Sequence, residues 1–160
     1  MKKTKLFLTL GIGLLSLGVA AGGLANHDAQ PVHAAGETRT IYFNAGGTGL
    51  WDQAGAWFCA WTWGGTTADS WVTFVDNDGD GYYEGELAAD RTKMKFLRMA
   101  PGATAPSWTS GDKGYWNQTG DLTLNATNNC FTMTSWSGGT WSTYTPPTTP
   151  VIRDFYLIGT

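Results

Sequence analysis

Turn-forming residues punctuate the chain at short intervals: Gly46-Gly47, Gly64-Gly65, Gly79 and Gly81, Pro101-Gly102, Gly111 and Gly114, and Asn128-Asn129. Between residues 37 and 144 they leave no room for a long apolar stripe of helical period. The segments they separate are rich in Trp, Thr, Tyr and Phe, so short strands joined by turns are the expected structure. Their composition, read between the breakers, places those strands at 39–44, 57–63, 71–75, 82–87, 93–99, 121–125 and 130–134. Seven strands within 108 residues is the scale of an all-β, antiparallel β-sandwich with one core.

The residues ahead of this module have a different character. Lys2, Lys3 and Lys5 precede an almost wholly apolar or small stretch over 6–21, and Val32 and Ala34 stand in the −3 and −1 positions of a small-residue cleavage site. This pattern predicts a secretory signal over 1–34, cut after Ala34, and a protein that is secreted or displayed at the cell surface. A retained membrane anchor is the competing reading of the same apolar run. Cleavage removes both histidines, His27 and His33, and leaves 7 basic and 12 acidic residues. A mature chain without imidazole excludes Ser-His-Asp and Cys-His catalysis and His-ligated zinc. Its acidic balance lacks the footprint needed for nucleic acid. The remaining route to catalysis is a carboxylate pair, and a domain of this size has little wall for a substrate cleft, so the segment reads as no enzyme.

After Tyr144 the sequence Thr145-Pro146-Pro147-Thr148-Thr149-Pro150 reads as an extended spacer. Residues 151–160 (VIRDFYLIGT) then resemble the start of a truncated further module; a last strand folding back onto the first module is the alternative. The expectation is a monomeric module, 35–144, within a multi-domain protein, with no membrane partner once the signal is removed.

All nine tryptophans lie inside that module. A sandwich core commonly holds one or two. Exposed indoles suit a ligand with flat apolar faces and a hydroxylated rim, which is the shape of a sugar. Polar partners stand beside them in Trp116-Asn117-Gln118-Thr119 and Trp51-Asp52-Gln53. Strand parity turns Trp71 outward beside Thr73 if Val72 and Phe74 face the core. Trp57, Trp61 and Trp63 share one face of their strand, opposite Phe58, Ala60 and Thr62, and parity leaves open which face is core. The same exposed aromatics would equally suit an extracellular adhesion module that recognises a protein surface.

Five motifs then occur in a fixed order: IYFNAGGTGLWDQAGAWFCAWTWGG, WVTFVDNDGDGYYE, FLRMAPGATAPSW, YWNQTGDLTL, and NNCFTMTSW with GGTWSTY. In that order they resemble the starch-binding modules of carbohydrate-binding family 26 over nearly all of 38–144. The resemblance implies an immunoglobulin-like β-sandwich that binds α-1,4-linked glucan without catalysis and targets an attached or partner amylase to starch. Carried across, the paired strand aromatics fall on Trp61 and Trp63 and the third platform on Trp71. Gln118 becomes a hydroxyl partner and Trp116 joins the candidate set, although Trp108 and Trp116 suit structural roles as well. Trp136 and Trp141, among glycines, read as packing residues. Given the family, two indoles two residues apart on a twisted strand and a third on its neighbour form an angled cradle that fits a curved glucan better than a flat crystalline face.

Two further features invite a reading. Asp76, Asp78, Asp80 and Glu84 occupy positions 1, 3, 5 and 9 of an EF-hand-like loop with Gly81 at position 6, but position 12 is Leu87, not Glu. A calcium-stapled loop outside the EF-hand fold and a metal-free acidic hairpin are the two readings, and no cofactor is required for binding. Cys59 and Cys130 form an even pair that permits a disulfide in a secreted chain; the expectation is two reduced thiols.

Overall fold

The structure is a computed structural model that describes residues 36–47 and 49–148. The expected signal over 1–34, the last two spacer residues and the expected further module over 151–160 lie outside the described residues.

The described residues form nine strands and no helix: β1 Thr38–Asn44, β2 Trp57–Trp63, β3 Ser70–Phe74, β4 Tyr83–Ala88, β5 Lys93–Met99, β6 Tyr115–Gln118, β7 Leu122–Thr123, β8 Cys130–Met133 and β9 Gly139–Ser142. They pair into two sheets, one ordered β4-β1-β8-β9 and the other β3-β2-β5-β6, with β7 alongside β5. Every pairing is antiparallel except that of β1 with β8. The all-β sandwich expected from the turn spacing is therefore present, and β2 and β5 have the expected limits.

β1, β3, β4 and β8 shift by a single residue at one or both ends, and three elements differ by more. β6 (YWNQ) and β9 (GTWS) are strands, although neither sequence alternates apolar with polar residues. Both are edge strands, held by main-chain pairing to β5 and β8, and each adds one partly buried ring, Tyr115 and Trp141 respectively, to a hydrophobic cluster. The strand expected at 121–125 contracts to Leu122–Thr123.

The core lies between the two sheets. Ile41, Phe43, Leu87, Phe131 and Met133 from one meet Phe58, Ala60, Val72, Phe74, Met94 and Phe96 from the other. Phe43 is the hub, fully buried, with its ring 4.4 Å from Phe96 and 5.0 Å from Phe58. Gly85 on β4 leaves space for Phe74: a Cβ there would stand 2.7 Å from the tip of that ring. Trp51, in the β1–β2 connection, is a core residue at 0% exposure, and its Nε1 donates to the Trp136 carbonyl at 3.0 Å. Removing rings of this size from water is the dominant favourable contribution to folding.

A second, smaller cluster covers part of the outer face of the β2–β5 sheet. Cys59, Leu97, Met99 and Ala103 are buried there beneath Trp57, Trp71 and Tyr115. Both cysteines are buried and free: Cys59 lies in this cluster and Cys130 on the opposite sheet.

Candidate functional site

The face of β2 that sequence parity left open is settled by burial. Phe58, Ala60 and Thr62 are buried toward the core, whereas Trp57, Trp61 and Trp63 stand partly exposed on the outside. The register then sets Trp71 of β3 directly opposite Trp61, with Lys95 of β5 on Trp61's other side. Cross-strand neighbours on one face stand close enough for aromatic rings to touch. The Trp61 and Trp71 rings are 5.0 Å apart at 64°.

Trp108 completes the cluster from the long β5–β6 connection. Its ring lies 4.8 Å from Trp71 at 47° and 6.1 Å from Trp61 at 69°, and the residue is 50% exposed. The connection is pinned on both sides of it. Trp57 Nε1 donates to the carbonyls of Ala100 and Ala103 at 3.0 and 3.1 Å, and Tyr115 N donates to the Thr109 carbonyl at 2.8 Å. The β2–β3 hairpin is fixed as firmly. The Asp90 carboxylate accepts from the amides and hydroxyls of both Thr66 and Thr67, and Arg91 donates to the carbonyls of Thr67 and Ala68. These bonds, Thr67's amide foremost, hold the Asp90 carboxyl well below the ordinary carboxylate range.

Polar groups border the three indoles. Lys95 pairs with Asp121 at 2.9 Å, and Lys93 Nζ donates to Thr123 Oγ1 at 2.7 Å. Trp63 sits opposite Lys93, one row beyond the ring cluster on the same face. Gln118 is also on this face, in the row Thr73, Cys59, Leu97, Gln118, but its Oε1 is buried without a hydrogen-bond partner and so does not face outward.

Trp116 belongs elsewhere. The β5–β6 register shifts between Arg98 and Met99, and Trp116 is the residue left unpaired at that bulge. Its ring lies against the Arg98 guanidinium, 4.7 Å from it, while Nε1 donates to Asp112 at 3.1 Å. Of the five sequence candidates, the structure thus joins Trp61 and Trp71, keeps Trp63 and Gln118 on their face, and carries Trp116 to another.

Sequence reasoning undervalued Trp108, because strand parity does not reach a loop residue. The motif Trp51-Asp52-Gln53 offers no exposed ring, since Trp51 is buried in the core. Trp141 packs on Phe131 as expected, 5.1 Å away, but Trp136 is 47% exposed rather than packed.

The acidic β3–β4 turn brings the carboxylates of Asp76, Asp78 and Asp80 together, with one oxygen of each within 4.8 Å of the others. Backbone amides of the turn donate to all three, and the Tyr144 hydroxyl donates to Asp80. Glu84 stands apart from the trio and accepts from Asn77 Nδ2 at 3.3 Å.

The Trp61, Trp71 and Trp108 rings are set at steep angles to one another and edged by ammonium, carboxylate and hydroxyl groups. Such a surface covers flat apolar faces of a ligand and takes hydrogen bonds from its rim. Compared with protein-family models, with curated proteins and with solved structures, the chain matches none.

Proposed function

We propose that the module binds carbohydrate without catalysis, that its ligand is α-1,4-linked glucan, and that Trp61, Trp71 and Trp108 form the platform. The observation that carries this reading is the angled indole trio held on the outer face of a rigid sheet. Three rings inclined at 47° to 69° to one another cannot lie flat along a planar crystalline polymer, but they follow a chain that curves. The Lys95–Asp121 and Lys93–Thr123 pairs at the border supply donors and acceptors for hydroxyls. Trp63 extends the platform at one end.

The immunoglobulin-like character of the sandwich, secretion under the N-terminal signal, and attachment to or partnership with an amylase are parts of the same proposal. They rest on the motif order in the sequence. Binding through indoles needs no cofactor. The trio Asp76, Asp78 and Asp80 stands where calcium would staple the β3–β4 turn, and calorimetry with calcium on chelator-treated protein tests that component.

Affinity electrophoresis in gels containing starch, cellulose, xylan or no polymer tests the main proposal. Retardation in starch alone is the expected result. Equal mobility in all four gels overturns it.

A further inference from the structure

The second half-exposed indole on the molecule, Trp136, is mounted as firmly as the first surface. Its carbonyl accepts from the buried Trp51 indole at 3.0 Å, and the turn that carries it is closed by the amides of Thr134 and Ser135 donating to the Gly138 carbonyl. Behind it lies Arg98, only 6% exposed, whose guanidinium is 5.8 Å from the Trp136 ring and 4.7 Å from the Trp116 ring. That guanidinium is fixed by donation from Nε to the Trp51 carbonyl at 2.7 Å and from Nη2 to the Gln53 carbonyl at 2.8 Å. Two indoles flanking one guanidinium, with Asp112 holding Trp116 in place, make a preorganised aromatic end to the sandwich.

We propose that this end is a second glucan-contacting site. The inference rests on the glucan reading of the first surface and adds to it a separate point of attachment. The chemistry is the same: an exposed indole for the apolar face of a pyranose, with the exposed Thr134 and Ser137 of the same turn beside it for the hydroxyls. A single half-open ring set among polar groups offers too little surface for a protein partner, which needs about 800 Å² on each side. The chain's own spacer leaves from the other end of β9, beyond Ser142, away from the β8–β9 turn that bears Trp136.

The two sites do not overlap. Lys95 beside Trp61 and Arg98 beside Trp116 lie three residues apart on β5 and point to opposite faces of its sheet. Trp136 itself comes from the opposite sheet, between β8 and β9. Both sites can therefore be filled at once, and on a polymer the second contact becomes intramolecular, which raises retention without any change at the first.

The test is calorimetry with maltoheptaose together with depletion from solution by insoluble starch, on the wild type, Trp136→Ala, the pair Trp61→Ala/Trp71→Ala, and the triple variant. Thermal unfolding verifies that each variant is folded, and glutamine at the same position replaces alanine in any variant that is not. The expected result is two heptasaccharides per wild-type chain and one per Trp136→Ala chain. Retention of Trp136→Ala on starch should fall about ten-fold or more. The Trp61/Trp71 pair should keep one weak site that the triple variant loses. One heptasaccharide per wild-type chain, unchanged by Trp136→Ala, overturns the second site and leaves the first standing. No binding by the wild type overturns the glucan reading and this inference with it.

Discussion

Trp61 and Trp71 face each other across the β2–β3 pair, and Trp108 closes over both, 6.1 and 4.8 Å from their ring centres. Each ring therefore supports the orientation of the other two, so the trio should behave as a unit in binding. Replacing any one of them with alanine is expected to weaken glucan binding at this surface about ten-fold or more, equivalent to about 1.4 kcal/mol. Removing two should cost less than the sum of the single losses. Calorimetry on single and double variants checks both statements; Trp108→Ala binding as tightly as the wild type would remove that residue from the platform.

Gly85 is required for volume rather than for backbone freedom. Its Cβ would meet the Phe74 ring at 2.7 to 2.8 Å in the middle of the core. Gly85→Ala should destabilise the sandwich by about 1–3 kcal/mol, the usual range for overpacking. Chemical denaturation should show a lower midpoint with little change in slope, because the surface exposed on unfolding is unchanged.

Asp90 gives the β2–β3 hairpin an acid-sensitive anchor. Its carboxyl is held far below the ordinary value of 3.8, first by the amide of Thr67 and then by the Thr66 hydroxyl. A depressed folded value means stability that is complete above pH 3.8 and lost as pH falls through the folded value. Asp90→Asn should unfold at a lower temperature than the wild type at neutral pH, with the gap narrowing below pH 3.8. A gap that stayed constant down to strongly acidic pH would contradict this linkage.

Burial pushes the Cys59 thiol up to about 12 and raises that of Cys130 as well. Both should stay protonated and unreactive toward a thiol reagent at pH 8 in the folded protein, and both should react once it is unfolded. For Cys59 the raised value implies stability that is complete below the ordinary thiol value of 9.0 and falls as pH rises toward 12. Labelling of Cys59 in native protein at pH 8 would show that the outer cluster opens.

What could be read in the sequence follows from which residues carry their own signal. β2 and β5 are rich in aromatic and other apolar residues and run up to turn formers, Gly64-Gly65 and Pro101-Gly102, so their limits were legible to the residue. β6 and β9 carry no alternation, since edge strands are specified by the partner's main chain, and a linear reading does not see the partner. The platform divided along the same line. Trp61 and Trp71 were legible because they stand on strands, where parity fixes the face once the core is known. Trp108 depends on a loop whose path is set by Trp57 bonding two carbonyls 43 and 46 positions away, and Trp116 on a bulge that turns it from one side of the sheet to the other. Spacing alone encodes neither.

Tyr144 stacks on Tyr82 with ring centres 4.0 Å apart and meets Tyr42 at 4.9 Å, on the outer side of the sheet that does not bear Trp61 and Trp71. Tyr144, the last residue of the module, is thus anchored on the back of the sandwich. On the proposed glucan reading, Tyr144 lies across the sandwich from the ligand-facing indoles. A partner fused after Tyr144 would then be separated from the polymer by the thickness of two sheets, whereas one fused on the Trp61 face would compete with it.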